Sequence, residues 1–168
     1  MYEKNIQIQP LTQESFAPFG DVIEKENRDF FPINNGLTER YHALSLAQVS
    51  GEDVAVGMSI FHNLAATELP FQIEMLERHP YGSQSFIPLQ QQKFVIVVAL
   101  PLDHTQPDEQ RIFAFLSNGQ QGVNYHQGVW HHSLITLEHN SDFLVVDRIG
   151  GGNNCDVYQM TKDYVIVG

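Results

Sequence analysis

The chain has little cysteine, little positive charge and no long apolar run. Its single cysteine, Cys155, excludes an internal disulfide framework and fits a reducing compartment. With no second thiol for a redox pair, its expected place is a small buried position in the core. Nine lysines and arginines stand against 20 acidic residues, for a formal charge of −11. No basic run is present, so neither nucleic acid nor an anionic membrane is an expected partner. The acidity reads instead as a surface that keeps the protein dispersed in water. The longest apolar stretch, residues 94–100, is far too short to span a bilayer and suits one buried strand. Residues 1–5 carry no signal-peptide apolar segment, and the expected location is the cytoplasm.

Helical signals are scarce too. One short helix is predicted over residues 12–17, capped by Thr12, with Glu14 in its first turn and Pro18 and Gly20 beyond its end. What the chain has in quantity is short β-type runs. A strand is predicted at residues 21–24, followed by a loop at 28–36 in which Asn35-Gly36 suits positive φ. Two adjacent phenylalanines, Phe30 and Phe31, lie in that loop and need a surface to cover, either a barrel mouth or a subunit contact.

Further strands are predicted at 40–46, 54–62, 71–79, 85–89, 94–100, 111–116, 130–137 and 143–148, with two weaker ones near the C-terminus. The run Val54-Ala55-Val56-Gly57-Met58-Ser59-Ile60 alternates, placing its large apolar residues on one face. Val95-Ile96-Val97-Val98 does not alternate, which predicts a strand buried on both faces. Residues 101–110 read as an exposed connection. Many short strands with Gly, Pro and Asn between them predict one mainly β domain over residues 1–168, a jelly-roll β-barrel with few short helices.

Two polar segments stand out against this apolar background: Glu77-Arg78-His79-Pro80-Tyr81-Gly82-Ser83-Gln84 and Asn124-Tyr125-His126-Gln127-Gly128-Val129-Trp130-His131-His132. Together they contain four of the eight histidines and the only tryptophan. Polar side chains among β-strands are costly to bury without partners, so the segments are expected to meet in one small-molecule site inside the barrel. Glu77 and His79 are two residues apart and share a strand face, with Arg78 on the other. Gln84 can return beside them after the Pro80-Tyr81-Gly82 turn. His131 and His132 point to opposite faces, so only one of them can face the interior.

These residues resemble the cupin superfamily. Glu77-x-His79-x-x-x-x-Gln84 is similar to the first cupin motif, with Glu77 in place of a histidine and Gln84 in place of a glutamate. His126-Gln127-Gly128-Val129-Trp130-His131 is similar to the second, with His126 in place of a proline. A more specific resemblance spans residues 11–157. It rests on Phe19-Gly20-Asp21-Val22-Ile23-Glu24, on Arg28-Asp29-Phe30-Phe31-Pro32-Ile33-Asn34-Asn35-Gly36, and on Leu76-Glu77-Arg78-His79-Pro80-x-Gly82-Ser83-Gln84-x-Phe86-Ile87-Pro88. It continues through Ser117-Asn118-Gly119-x-Gln121-Gly122-Val123-Asn124-Tyr125-His126-x-Gly128-Val129-Trp130-His131-His132 and Asp142-Phe143-Leu144-x-x-Asp147-Arg148. In all of these the chain resembles ureidoglycolate lyase.

The resemblance implies a homodimeric, cytoplasmic cupin that splits (S)-ureidoglycolate into glyoxylate and urea in allantoin degradation and nitrogen assimilation. It implies His131, His79, Glu77 and His126 as catalytic candidates. Glu77, His79, Gln84 and His131 become the candidate ligands for a divalent transition metal such as Ni, Zn or Mn. The substrate carboxylate calls for a bidentate cation, and Arg28, Arg40 and Arg148, together with Gln84, are the candidate binding residues. Other classes fit the cupin motifs alone: an amidohydrolase releasing ammonia, a metal-dependent dioxygenase, or a non-catalytic ligand-binding cupin.

Overall fold

The unbroken apolar run that begins at Phe94 becomes the wall between two cores. The structure, a computed structural model, describes residues 4–168. In it β8 (Phe94–Pro101) is buried on both faces. Val95, Val97 and Ala99 face one apolar cluster, and Phe94, Ile96 and Val98 face a second.

The first cluster fills a closed ring of strands. Its members are β1 (Lys4–Pro10), β6 (Phe71–Arg78), β8, β9 (Pro107–Leu116), β11 (Trp130–His131) and β14 (Asp156–Val167). Neighbours follow the order β11-β6-β14-β1-β9-β8, and a further β11–β8 pairing closes the circle. A short β12 (Ile135–Thr136) extends β8. Strand β1 runs parallel to both β14 and β9, whereas the other ring pairs are antiparallel. Closure leaves the ring with no free hydrogen-bonding edge.

The second cluster lies between the ring and an antiparallel five-stranded sheet. That sheet is made of β2 (Gly20–Ile23), β5 (Ala55–Asn63), β7 (Gln84–Pro88), β10 (Gly122–Tyr125) and β13 (Ser141–Ile149), in the order β2-β10-β7-β13-β5. The remaining two strands, β3 (Phe31–Ile33) and β4 (Thr38–Arg40), form a separate hairpin arm. The helix α1 (Gln13–Phe16) is capped reciprocally by Thr12 and Ser15, and drives Phe16 against Phe115 and Tyr125. The architecture is a mainly β, cupin-type jelly roll, as the strand pattern predicts.

Several expectations are corrected. Residues 41–46 form no strand; Ala43 sits at φ +50° and the segment turns away after β4. The predicted strand at 130–137 is two short pieces, β11 and β12. The loop at 101–110 is shorter than expected, because residues from Pro107 onward already belong to β9. The two weak C-terminal strands are one, β14, whose pairing with β6 shifts register between Gln159 and Tyr164. Strand β1 has no counterpart in the sequence reading. Asn35 and Gly36 do adopt positive φ, at the tip of the arm.

One surface is left uncovered. On β5 the alternating residues Val56, Met58 and Ile60 are 43%, 78% and 58% exposed. They pair in register with Arg148, Val146 and Leu144 of β13, so they lie on the sheet face opposite the core. The alternation predicted for this strand is therefore real, but its apolar side faces outward.

Candidate active site

Strand parity decides which polar groups meet. Trp130 points into the ring core, so its neighbour His131 points the other way, into the layer between ring and sheet. The site thus lies between the two sheets rather than within the closed ring. The register shift in β14 falls opposite Ile73 and Met75, ahead of Glu77 on the same strand. Beyond it Leu76 faces the ring core, and Glu77 pairs directly with His131 across β6 and β11. His79 follows the end of β6, and Gln84 opens β7. A turn through Gly128, at φ +79°, carries β10 into β11 and donates its amide to the His79 carbonyl at 2.9 Å. The two polar segments are tied together by their own backbone.

Glu77, His79 and His131 each present a ligand atom, and these atoms lie within 4.8 Å of one another. His131 is only 2% exposed. Its Nδ1 donates to the Val129 carbonyl at 2.9 Å, which turns Nε2 toward Glu77 Oε1, 3.6 Å away. That separation is too long for a hydrogen bond, and Nε2 is buried without a partner. His79 repeats the arrangement, with Nδ1 on the Asn154 carbonyl at 2.7 Å and Nε2 on Gln84 Oε1 at 3.2 Å. Gln84 is oriented in turn by donating its Nε2 to Asp147 Oδ2 at 3.1 Å. Two imidazoles with Nδ1 fixed on backbone carbonyls and Nε2 converging on a carboxylate match the way proteins orient metal-binding histidines.

The electrostatics fit this picture. The imidazole of His131 holds the Glu77 carboxyl below its usual range, outweighing the opposing effect of burial, and His79 adds to it. Tyr125 stacks flat on His131, with ring centroids 4.3 Å apart and planes 14° apart. Its hydroxyl is buried and unpartnered, and burial, then the Glu77 charge, push it well above the usual phenol range. His132, just past the end of β11, meets the edge of Phe71 rather than Trp130 and, against the expectation that only one of the two histidines faces inward, also lines the cleft; burial lowers its pKa. A cleft of about 210 Å³ opens onto Glu77, Gln84 and His131, with Phe61 and Asn63 of β5 on its rim.

The other sequence candidates lie elsewhere. His126 is exposed, bonded to Asp21 through Nε2 at 3.1 Å. Arg148 donates to the carbonyls of Ser50 and Gly151 and lies over Tyr81. Arg28 donates to the Val22 carbonyl, and Arg40 lies on the arm above Phe31. Arg78 points away from Glu77, as expected, onto Asp156 and the face of Trp130.

Four residues near the centre escaped the sequence reading. Tyr125, Asp147 and Asn154 hold the histidines and Gln84 in place. Cys155 is exposed rather than buried in the core, with its Sγ 3.8 Å from Glu77 Oε2. Only Tyr125 carried a local signal, since it sits inside one of the two polar segments.

A Glu-His-His centre between the sheets of a jelly roll defines a cupin-type enzyme of small molecules. The particular family follows from comparison with known proteins. The ureidoglycolate lyase family profile matches residues 3–167, and the chain belongs to that family. The chain is 54% identical over 160 residues to the ureidoglycolate lyase of Stutzerimonas stutzeri (strain A1501), covering 95% of this chain and 92% of the relative. It is 53% identical over 160 residues to that of Pseudomonas paraeruginosa (strain DSM 24068 / PA7), covering 95% and 93%. With that of Pseudomonas putida (strain W619) it shares 49% over 164 residues, covering 98% and 96%.

Proposed function

We propose that the protein is a lyase that splits (S)-ureidoglycolate into glyoxylate and urea, a step of allantoin degradation and nitrogen assimilation. The observation that carries the chemistry is the convergence of two imidazoles and one carboxylate within 4.8 Å, with Glu77 and His131 opening onto the cleft. Ureidoglycolate carries a carboxylate, a hydroxyl and a urea nitrogen on one carbon. Its cleavage needs a base for the hydroxyl proton as the C=O forms, and an acid for the departing nitrogen.

His131 suits the base. Its Nδ1–H is held by Val129, so Nε2 presents a lone pair into the cleft, and Glu77 beside it stabilises the imidazolium that results. His79, whose Nε2 donates to Gln84 Oε1, is assigned the proton for urea, and Gln84, locked by Asp147, lines the cleft beside it. His126 is exposed and engaged with Asp21, and neither transfer is assigned to it.

The residues present fit a divalent ion. Glu77, His79 and His131 would hold it, with the Gln84 carbonyl as a further oxygen, a donor set compatible with Ni, Zn or Mn. Such an ion would take the Nε2 lone pairs of His79 and His131, in place of their roles as acid and base, and would supply Lewis acidity that lowers the pKa of a bound hydroxyl. Cytoplasmic location fits the single free cysteine, and among the described residues no helix is long and apolar enough to cross a membrane. A homodimer is supported by the apolar outer face of the five-stranded sheet.

The test is incubation of purified protein with racemic ureidoglycolate, following urea and ammonia separately. Urea and glyoxylate in equal amounts from one enantiomer are expected; ammonia without urea overturns the reading. Repeating the assay after chelation, with metal content measured alongside, reports whether the bound ion is required.

A further inference from the structure

The cleft lacks something that its proposed substrate needs. Ureidoglycolate is an anion, yet no lysine or arginine lines the cleft, and the charged group that does line it, Glu77, is itself a carboxylate. Most of the arginines that sequence or position brings into question are engaged elsewhere. Arg78 is paired with Asp156, Arg111 with Asp108, Arg148 with two carbonyls and Arg28 with one. Arg40 is different. It is exposed on β4, and among the described residues it has no carboxylate within ion-pair distance.

The arm that carries Arg40 is apolar as well as exposed. Phe30, Phe31 and Leu37 are 49%, 44% and 88% exposed. They are the counterpart of the uncovered Val56, Met58 and Ile60 at the far edge of the five-stranded sheet. Two such surfaces on one chain, neither covered by the chain itself, are expected of an interface between copies.

Register shows how they would meet. One straight row crosses the sheet through Val22, Val123, Phe86, Val145 and Ser59. The arm leaves β2 just beyond that row, past Ile23, at the level where β5 reaches Ile60 and Phe61. Let two copies stack by their outer faces about a two-fold axis parallel to the strands. This rotation keeps the level and exchanges left for right, so each β2 edge comes over the partner's β5 edge. The arm then arrives at the β5 edge at the level of Phe61 and Asn63, which face inward onto the cleft, so that it reaches the cleft by rounding that edge.

We infer that the active site is shared between two copies: the β3–β4 arm of one protomer closes the cleft of the other and supplies Arg40 to the substrate carboxylate. The identity of the ligand rests on the lyase reading above; the placement of the arm does not. Guanidinium is suited to this task, because it grips a carboxylate through two parallel N–H donors.

The test mixes two defective variants. Arg40→Ala and Glu77→Gln are each expected to lose activity, the former by about ten- to a hundredfold, as for one charged hydrogen-bonded contact. In randomly reassorted dimers half the molecules are mixed, and one of the two sites in each of these carries neither lesion. Activity then recovers to about a quarter of the wild-type value. If Arg40 serves its own chain, every site in the mixed dimer keeps one lesion, no recovery follows, and the inference fails.

A second measurement needs no substrate. Hydrogen exchange of residues 28–40 is compared between the wild type and Met58→Asp, a surface change expected to yield folded monomers. Protection of the arm in the wild type and its loss in the variant support the shared site, even if ureidoglycolate proves not to be the substrate. A wild-type monomer, or an arm equally exchanged in both, overturns it.

Discussion

Two histidine–carboxylate pairs, each with its histidine in the same polar segment, have opposite characters. His131 and Glu77 lie between the sheets, with side chains 3% and 24% exposed, while His126 and Asp21 are 46% and 34% exposed. In the exposed pair the His126 Nε2 is already spent on Asp21, which also accepts from Ser45 at 2.7 Å. In the buried pair the His131 Nδ1 proton is spent on the Val129 carbonyl, and Nε2 is left without a hydrogen-bond partner beside the cleft. Residue type is similar; what differs is that a backbone carbonyl holds the His131 Nδ1, whereas a side-chain carboxylate holds the His126 Nε2. The candidate site lies where backbone carbonyls satisfy the back of each imidazole and turn its front toward Glu77.

The largest expected effect comes from destroying the buried member. His131→Ala removes the converging Nε2 and the surface on which Tyr125 stacks, and kcat is expected to fall by about 10²- to 10⁴-fold. Far-ultraviolet circular dichroism should remain that of the folded barrel, because the ring core on the other side of β11 is untouched. Turnover within a fewfold of wild type would remove His131 from the chemistry.

A smaller effect tests whether the Glu77 charge is anchored as the geometry implies. Its folded-state pKa lies below the unfolded value of 4.5. The stability it contributes is therefore present above the unfolded pKa, and is lost as the pH falls through the lower folded value. The melting temperature of wild type should exceed that of Glu77→Gln most near neutrality, with the gap closing below about pH 4.5. A gap that stays constant down to pH 3 would mean that the charge is not what His131 and His79 recognise.

How much of this was legible beforehand follows a physical division. The double-faced burial of β8 could be read because its run of Val95-Ile96-Val97-Val98 breaks the period of two. Strand parity separates Trp130 from His131 correctly, but it stops at His131, where β11 ends, and His132 also reaches the cleft. Residues 41–46 misled because Tyr41-His42-Ala43-Leu44-Ser45-Leu46 carries apolar residues at strand-like spacing, whereas an alanine at positive φ leaves no sequence trace. The groups that orient the site were illegible for a different reason. Asn154 reaches His79 across 75 positions, and Asp147 reaches Gln84 across 63. Contacts of that span are set by strand order, and no local pattern encodes them. Cys155 shows the same limit, since its exposure depends on how the segment before β14 passes Glu77.

The smallest expected effect falls on the exposed pair, and it is the sharpest test of the contrast. Burial pushes the Asp21 carboxyl up, but the hydrogen bonds from Ser45 and His126 together prevail and hold it below the usual range. Because both side chains are well solvated, the pair is screened and contributes at most about 1 kcal/mol. His126→Ala leaves the Ser45 bond to Asp21 in place and touches none of Glu77, His79, Gln84 or His131. Activity within about threefold of wild type is expected, since neither proton transfer passes through it and each such transfer is worth at least about a hundredfold. A loss of a hundredfold or more, with the melting temperature unchanged, would make His126 the acid that protonates urea. It would also show that solvent exposure in the single chain does not describe this residue in the working enzyme.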